Sequence, residues 1–260
     1  MALYRGMDRA ALDAAYNNTA AVRDSAQIVA AWQARSDRLR PSARELIYGT
    51  NDRNRVDLFA AGKDAPLLVF VHGGYWQMRA RDNFYFLADG PLAHGISVAF
   101  VGYTLAPDIR LDGIVAEIRL ALDFLGQRHP QVVLAGWSAG GHLSAMGMSH
   151  RAVRAGLAIS GIYDLEPIRL CYLNEKLGLD EAEARRNSPI ALPASGKPLV
   201  LAYGTRELPE LQRQSQEYAK ACTGSRLLPL QGHDHFTILE ELASPEGALT
   251  SQARTLFGQR

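Results

Sequence analysis

One segment, at residues 131–148, constrains the fold of this chain more tightly than any other. An apolar run at 131–135 leads directly into Gly-Trp-Ser-Ala-Gly at 136–140, and a helix-forming run then extends to Met148. A Gly-x-Ser-x-Gly sequence between a strand and a helix is typical of a sharp turn that strains the serine backbone and exposes its hydroxyl. A small-residue helix start packed on a strand is the structural alternative. The pattern predicts Ser138 as a nucleophile.

A second glycine-containing turn lies upstream, where the apolar run at 67–71 meets His-Gly-Gly-Tyr-Trp at 72–76. Acyl transfer from a serine passes through a tetrahedral oxyanion, which needs fixed backbone N–H donors in a dry site. Glycine amides are not covered by side chains, so Gly73 and Gly74 are candidate donors, together with Ala139 after the nucleophile. A loop capped by His72 is the alternative interpretation.

A serine nucleophile also needs a base and an acid that orients the base. In α/β folds that use this chemistry the chain order is serine, acid, histidine, with the last two after late strands. Strands are predicted at 198–203 and 225–230, which favours Glu207 as the acid and His235 as the base. Asp164 and His233 remain the alternatives for these two roles.

The neighbouring residues His233, Asp234 and His235 raise the question of a metal site. Side chains this close in sequence rarely converge on one ion, and no helical His pair accompanies them. Asp234 instead suits the cap of a helix that starts at Phe236. We therefore expect neither a metal nor another cofactor.

Along the chain, apolar strand patterns alternate with helical ones, which predicts an α/β domain spanning 1–260 with a mainly parallel sheet. Residues 44–48 and 55–59 form a predicted hairpin, and 82–88, 165–177 and 180–186 are predicted helices. We expect residues 1–41, with helices at 8–16 and 24–40, to be a lid. The insertion at 162–193 is expected to be a cap over the carboxyl ends of the strands, where ligands bind in such sheets, or else a plain connection.

Composition excludes several classes of protein. A net charge of +1 gives no reason to expect a nucleic-acid partner, and no run is long enough to span a membrane. The first residues lack the apolar core of a signal peptide. Cys171 and Cys222 are too few for a disulfide framework, which favours a reducing compartment, the cytoplasm.

Four motifs together resemble the kynurenine formamidase (arylformamidase) group of the α/β-hydrolase superfamily, close to the hormone-sensitive-lipase-like esterases. They are the runs at 72–76, 136–143, 174–179 and 234–236. The resemblance covers most of the chain from about residue 44, and the first forty residues are similar to the group's N-terminal helical extension. It implies an α/β-hydrolase fold with an eight-stranded sheet and a serine hydrolase acting on aryl formamides. Trp137 stands where many relatives carry histidine, and Glu207 where the usual acid is aspartate.

The expected reaction is therefore acyl transfer by a Ser138–His235–Glu207 triad, with a short-chain carboxylesterase as the alternative and a non-catalytic binding protein as a further one. Four aromatic side chains close to these motifs are predicted to contact the substrate. They are Tyr75, Trp76, Trp137 and Phe236. The expected partner is a small molecule, and both monomer and homodimer remain open.

Overall fold

Eight strands form one sheet in the computed structural model, which describes residues 2–259. Their order is β1-β2-β4-β3-β5-β6-β7-β8. The pairs β1–β2 and β2–β4 are antiparallel, and the other five pairs are parallel. The strands are β1 (Arg44–Ile47), β2 (Arg55–Phe59), β3 (Leu67–Val71), β4 (Ser97–Val101), β5 (Val132–Trp137), β6 (Val153–Ile159), β7 (Leu199–Gly204) and β8 (Ser225–Leu230).

Helices cover both faces of this sheet, which is why the central strands β3, β4 and β5 are buried along their whole length. Alternate residues of β3 belong to two separate clusters, with Val69 on one face and Phe70 on the other. The predicted α/β-hydrolase fold with a mainly parallel eight-stranded sheet is confirmed.

Twelve α-helices accompany the strands within residues 2–259. They are α1 (Arg9–Ala15), α2 (Asn18–Ala21), α3 (Ser25–Leu39), α4 (Asp89–Leu92), α5 (Leu111–Gly126), α6 (Ala139–Gly147), α7 (Glu166–Leu170), α8 (Asn174–Leu177), α9 (Glu181–Arg186), α10 (Pro209–Ala221), α11 (Glu240–Ala243) and α12 (Ala248–Leu256). Apolar residues of α5, α6 and α10 pack on one face of the sheet, and those of α3, α11 and α12 on the other.

Two predicted helices differ from the structure. The segment expected to be α-helical near 82–88 is a 3₁₀ helix, Arg81–Ala88, whose threefold repeat brings the buried Phe84 and Leu87 to the same side. The helix expected over 165–177 is interrupted, because Cys171 is extended and separates α7 from α8. Gly178, in the left-handed conformation, ends α8.

The N-terminal extension divides into two parts with different positions. Helix α3 packs on the 3₁₀ helix Arg81–Ala88, and its Trp32 is buried among aromatic side chains on a face of the sheet. This burial anchors α3 to the sheet, because an aromatic side chain of that size gains most from full burial. The lid expected for residues 1–41 stays a prediction, and Met1 lies outside the described residues.

Helix α1 directly contacts the 162–193 insertion, whose role as a cap stays a prediction. Asp13 accepts a hydrogen bond from the backbone N–H of Tyr172 at 2.7 Å, and Arg9 forms an ion pair with Glu175.

Cys171 and Cys222 are both buried free thiols. Among residues 2–259, no helix is both long enough and apolar enough to cross a membrane.

Candidate active site

Ser138 occupies a sharp turn between β5 and α6. Its backbone has φ 58° and ψ −120°, a conformation that non-glycine residues rarely adopt, and its N–H donates to the Ile159 carbonyl at 2.8 Å. A Cβ on Gly136 would meet the backbone of Gly140, and one on Gly140 would meet the Val71 carbonyl. Both positions therefore require glycine, and the turn expected from the sequence motif is present.

Three side chains from distant parts of the sequence meet at this turn. His235 Nε2 lies 3.1 Å from Ser138 Oγ, and His235 Nδ1 lies 3.2 Å from Glu207 Oε2. The carboxylate accepts a hydrogen bond from Nδ1–H, so the Nε2 lone pair faces the serine hydroxyl. The Glu207 and His235 side chains are only 0% and 4% exposed, so the hydrogen bond between them is shielded from solvent.

Glu207 has two further hydrogen-bond donors. Its Oε1 accepts from the Ser160 hydroxyl at 2.6 Å and from the Gly204 N–H at 2.6 Å. Ser160 is fully buried and has φ 51°. Sequence reasoning missed Ser160, although a signal was present: it follows β6, the strand that lies between those carrying the nucleophile and the acid.

The alternative acid and base lie elsewhere. Asp164 accepts hydrogen bonds from the Tyr4 hydroxyl at 2.7 Å and from the N–H of Glu166. His233 pairs with Glu241 at 3.1 Å. Neither of the two is bonded to Ser138 within the described part of the chain.

The residue between the two histidines has a structural role. Asp234 accepts from the N–H groups of Phe236 and Thr237, as a helix cap does. No group of three His, Cys, Asp or Glu side chains arranged to hold a metal is found among residues 2–259.

Three backbone N–H groups near Ser138 are candidates for an oxyanion hole. A Cβ on Gly73 would lie 3.0 Å from the Ser138 Cβ, so this backbone packs against the nucleophile. Gly74 has φ 110°, and its carbonyl accepts from the N–H groups of residues 77 and 78 in a tight turn. Among the described hydrogen bonds, the amides of Gly73, Gly74 and Ala139 donate to no protein acceptor, so they are available to an oxyanion.

The four aromatic residues predicted to contact the substrate are all buried. Trp76 donates from Nε1 to His142 Nδ1 at 3.2 Å, and Trp137 donates from Nε1 to the His235 carbonyl at 2.8 Å. Phe236 packs on Trp137 with ring centroids 5.9 Å apart. The rings thus support the catalytic loops from within the core, and direct contact with a substrate stays a prediction.

Tyr75 connects the glycine turn to the N-terminal extension. Its hydroxyl donates to the Tyr16 carbonyl at 2.6 Å and accepts from Asn18 Nδ2 at 2.9 Å. Burial raises the pKa of this phenol well above its ordinary value, so the hydroxyl keeps its proton. Gln77 extends the connection to the cap, since its Nε2 donates to the Leu173 carbonyl at 2.7 Å.

Two buried histidines near the site are held neutral. Burial lowers the pKa of His142 to about 4, and its Nε2 contacts the Asn187 carbonyl at 2.7 Å. Burial lowers the pKa of His72 to about 3, and its ring stacks on Tyr103 at 4.3 Å. Neither is bonded to Ser138, so both are structural.

Comparison with known proteins gives consistent matches over most of the chain. The BD-FAE family model matches residues 58–191. Proteins called kynurenine formamidase from Salmo salar and Danio rerio are 32% and 31% identical to this chain. Each match covers 89% of this chain and 88% of the relative.

Solved structures agree with these matches. A Silicibacter protein described as a thioesterase is 32% identical, with a TM-score of 0.85 over 92% of this chain and 97% of its own. An esterase from Pyrobaculum calidifontis shares the fold at 16% identity, with a TM-score of 0.73 over 90% of this chain and 92% of its own.

Proposed function

Since the chain belongs to the kynurenine formamidase family of the α/β-hydrolase superfamily, we propose that it cleaves aryl formamides such as N-formylkynurenine and releases formate. The chain is a hydrolase of formamide or ester bonds. The observation that carries the mechanism is the continuous hydrogen-bonded path from Ser138 Oγ through His235 to Glu207, at 3.1 and 3.2 Å, and the formamide substrate is supported by the relatives.

In the first step Ser138 attacks the formyl carbon. His235 Nε2 takes the hydroxyl proton as the Oγ–C bond forms, and Glu207 stabilises the resulting imidazolium. The carbonyl oxygen becomes an oxyanion, which in this proposal binds the amides of residues 73, 74 and 139; their lack of a described protein acceptor supports this role. Removal of one such donor typically costs roughly 3 to 4 kcal/mol of transition-state stabilisation.

In the second step the C–N bond breaks and His235 gives its proton to the leaving aryl amine. This leaves a formyl ester on Ser138. Water then attacks that ester while His235 accepts one of its protons, and the same histidine returns a proton to Ser138 Oγ as formate leaves. The cycle consumes one water and needs no cofactor.

A formyl group suits the crowded surroundings of the nucleophile. The backbone of Gly73 leaves no room for a Cβ, which would lie 2.6 Å from the Trp137 ring and 3.0 Å from the Ser138 Cβ. Ser138 itself is 2% exposed. Hydrogen in place of an acyl chain requires the least space here, so the packing supports a small acyl group.

The test compares N-formylkynurenine with p-nitrophenyl acetate and butyrate on the wild type and on Ser138→Ala. We expect formate and aromatic amine in equal amounts, a higher kcat/KM for the formamide than for butyrate, and loss of at least about 10³-fold in Ser138→Ala. Ester cleavage without formamide cleavage would identify a carboxylesterase. Activity retained by Ser138→Ala would reject the mechanism.

The matched pair Glu207→Gln and Asp164→Asn tests which carboxylate orients His235. The first removes the charge beside His235, so we expect kcat to fall by about three orders of magnitude or more. The second changes a carboxylate bonded to Tyr4, so kcat is expected to stay within about threefold. The reverse ranking would assign the acid role to Asp164.

We also propose a cytoplasmic location. Its support is the pair of buried free thiols, Cys171 and Cys222, which suit a reducing compartment. Fractionation of cells that express the chain would test it, and recovery in an oxidising compartment would reject it.

A further inference from the structure

Trp137, the residue before the nucleophile, contacts the catalytic histidine in two ways. Its indole N–H donates to the His235 backbone carbonyl at 2.8 Å, in a buried setting. Its ring lies 4.8 Å from the His235 imidazole, with the two planes inclined by 36°. One side chain of β5 therefore touches both the backbone and the ring of His235.

The loop that carries His235 is hydrogen-bonded on both sides of that residue, since the Arg206 N–H donates to the His233 carbonyl at 2.9 Å and the Ile238 N–H donates to the Asp234 carbonyl at 3.2 Å. The segment between β8 and the helical turn at Thr237–Leu239 has no regular secondary structure. Asp234 fixes the N–H groups that follow His235, but the described hydrogen bond to the His235 carbonyl comes from Trp137. Loss of the donor would leave that buried carbonyl unpaired and free to turn.

The surrounding aromatic cluster supplies a matched comparison. Trp32 of α3 meets the Trp137 ring edge-on at 5.6 Å and lies 5.9 Å from the Phe236 ring. It is as buried as Trp137, yet its indole nitrogen has no hydrogen-bond partner among residues 2–259. The two tryptophans thus share their packing and differ in the hydrogen bond.

We propose that Trp137 is a positioning residue for catalysis: its indole N–H fixes the His235 backbone so that Nε2 stays within reach of Ser138 Oγ. The role rests on the proposed function, because it acts through the same histidine. Trp137 contacts His235 but takes part in none of the bonds that form or break in this mechanism. Its effect is on the rate of the chemical step and not on substrate binding.

The experiment compares Trp137→Phe with Trp32→Phe. Both variants keep an aromatic ring in the same cluster, but only the first removes a hydrogen bond. The readouts are kcat and KM for N-formylkynurenine and the rate at which a fluorophosphonate labels Ser138. For Trp137→Phe we expect kcat and the labelling rate to fall about tenfold with KM unchanged, as for loss of one buried hydrogen bond. For Trp32→Phe we expect both within about threefold of wild type.

The outcomes separate the two proposals. If the wild type is not labelled, the proposed function fails. If the wild type is labelled and Trp137→Phe is labelled equally fast, the positioning role is wrong. Equal losses of kcat in Trp137→Phe and Trp32→Phe, or a change in KM alone, would show that the Trp137 ring acts only through packing. Either result would also overturn the positioning role.

A measurement on intact Trp137 covers the case in which Trp137→Phe does not fold. The indole N–H resonances of the three tryptophans are assigned by elimination with Trp32→Phe and Trp76→Phe. We expect the Trp137 indole hydrogen to exchange with solvent more slowly than that of Trp32, because both are buried and only the first has a described hydrogen-bond acceptor. Equal exchange rates would reject the proposal.

Discussion

Glu207 depends on neighbours that no sequence motif marks. Its Oε1 receives two hydrogen bonds, from Ser160 and Gly204, while its Oε2 faces His235. Hydrogen bonds to a charged group are stronger than neutral ones, and they fix the plane of the carboxylate. Ser160 and Gly204 therefore help to set the orientation of the His235 ring through the Glu207 carboxylate.

Replacement of Ser160 by alanine tests this dependence. We expect kcat to fall about 10- to 100-fold with KM unchanged, because one hydrogen bond to a buried carboxylate is lost. Steady-state kinetics with N-formylkynurenine provide the measurement. The control is Ser144→Ala, since the Ser144 hydroxyl is buried but has no hydrogen-bond partner within residues 2–259. Equal kinetics in the two variants would remove Ser160 from the catalytic apparatus.

Among the elements, α1 and α2 join parts of the site that are far apart in sequence. The Tyr16 carbonyl and the Asn18 amide hold Tyr75 in the glycine turn, and Asp13 binds the 162–193 insertion at Tyr172. Ser138, which packs against Gly73 of the same glycine turn, is 2% exposed. The N-terminal helices thus fix the loop that carries two of the three candidate oxyanion donors.

Tyr75→Phe tests this connection by removing one hydroxyl. It leaves the Tyr16 carbonyl and the Asn18 amide without their partner, so we expect the free energy of unfolding to fall by about 1 to 3 kcal/mol. Urea denaturation gives the value. The matched variant Tyr172→Phe, whose hydroxyl has no described hydrogen bond, is expected to change it by less than about 0.5 kcal/mol. Equal unfolding free energies for Tyr75→Phe and the wild type would show that the Tyr75 hydroxyl does not hold the glycine turn to the N-terminal helices.

At the scale of the whole molecule, the burial of neutral histidines links stability to pH. The pKa values of His142 and His72 are lowered to about 4 and about 3 from an ordinary 6.5. Between pH 6.5 and about pH 3, the unfolded chain therefore binds more protons than the folded chain does. Stability from this source is complete above about pH 6.5 and is lost as the pH falls towards 4 and 3.

His142→Gln tests this linkage, because an amide can also accept from Trp76 and donate to the Asn187 carbonyl. We expect the wild type to lose about 2 kcal/mol more of its unfolding free energy than the variant between pH 7 and pH 4.5. Urea denaturation at a series of pH values measures the difference. Parallel curves for the two proteins would show that His142 does not contribute to the acid sensitivity.

Much of the fold could be predicted because it depends on local patterns. Apolar runs of five or six residues between helical segments specify buried parallel strands, and glycines at 136 and 140 specify the turn at Ser138. Chain order placed Glu207 and His235 after the correct strands. The breaks in the cap helices were not foreseen, since Cys171 adopts its extended backbone inside a sequence with helical propensity.

The sequence by itself therefore determined the fold class, the nucleophile turn and a short set of candidates for acid and base. Only the tertiary structure brought Glu207 to His235 and left Asp164 elsewhere, brought Ser160 to the carboxylate and directed the Trp137 indole at His235. It also buried Trp32 of α3 on a face of the sheet. The physical reason is that local propensity acts over a few residues, whereas hydrogen-bond partners more than forty residues apart are decided by strand order and burial.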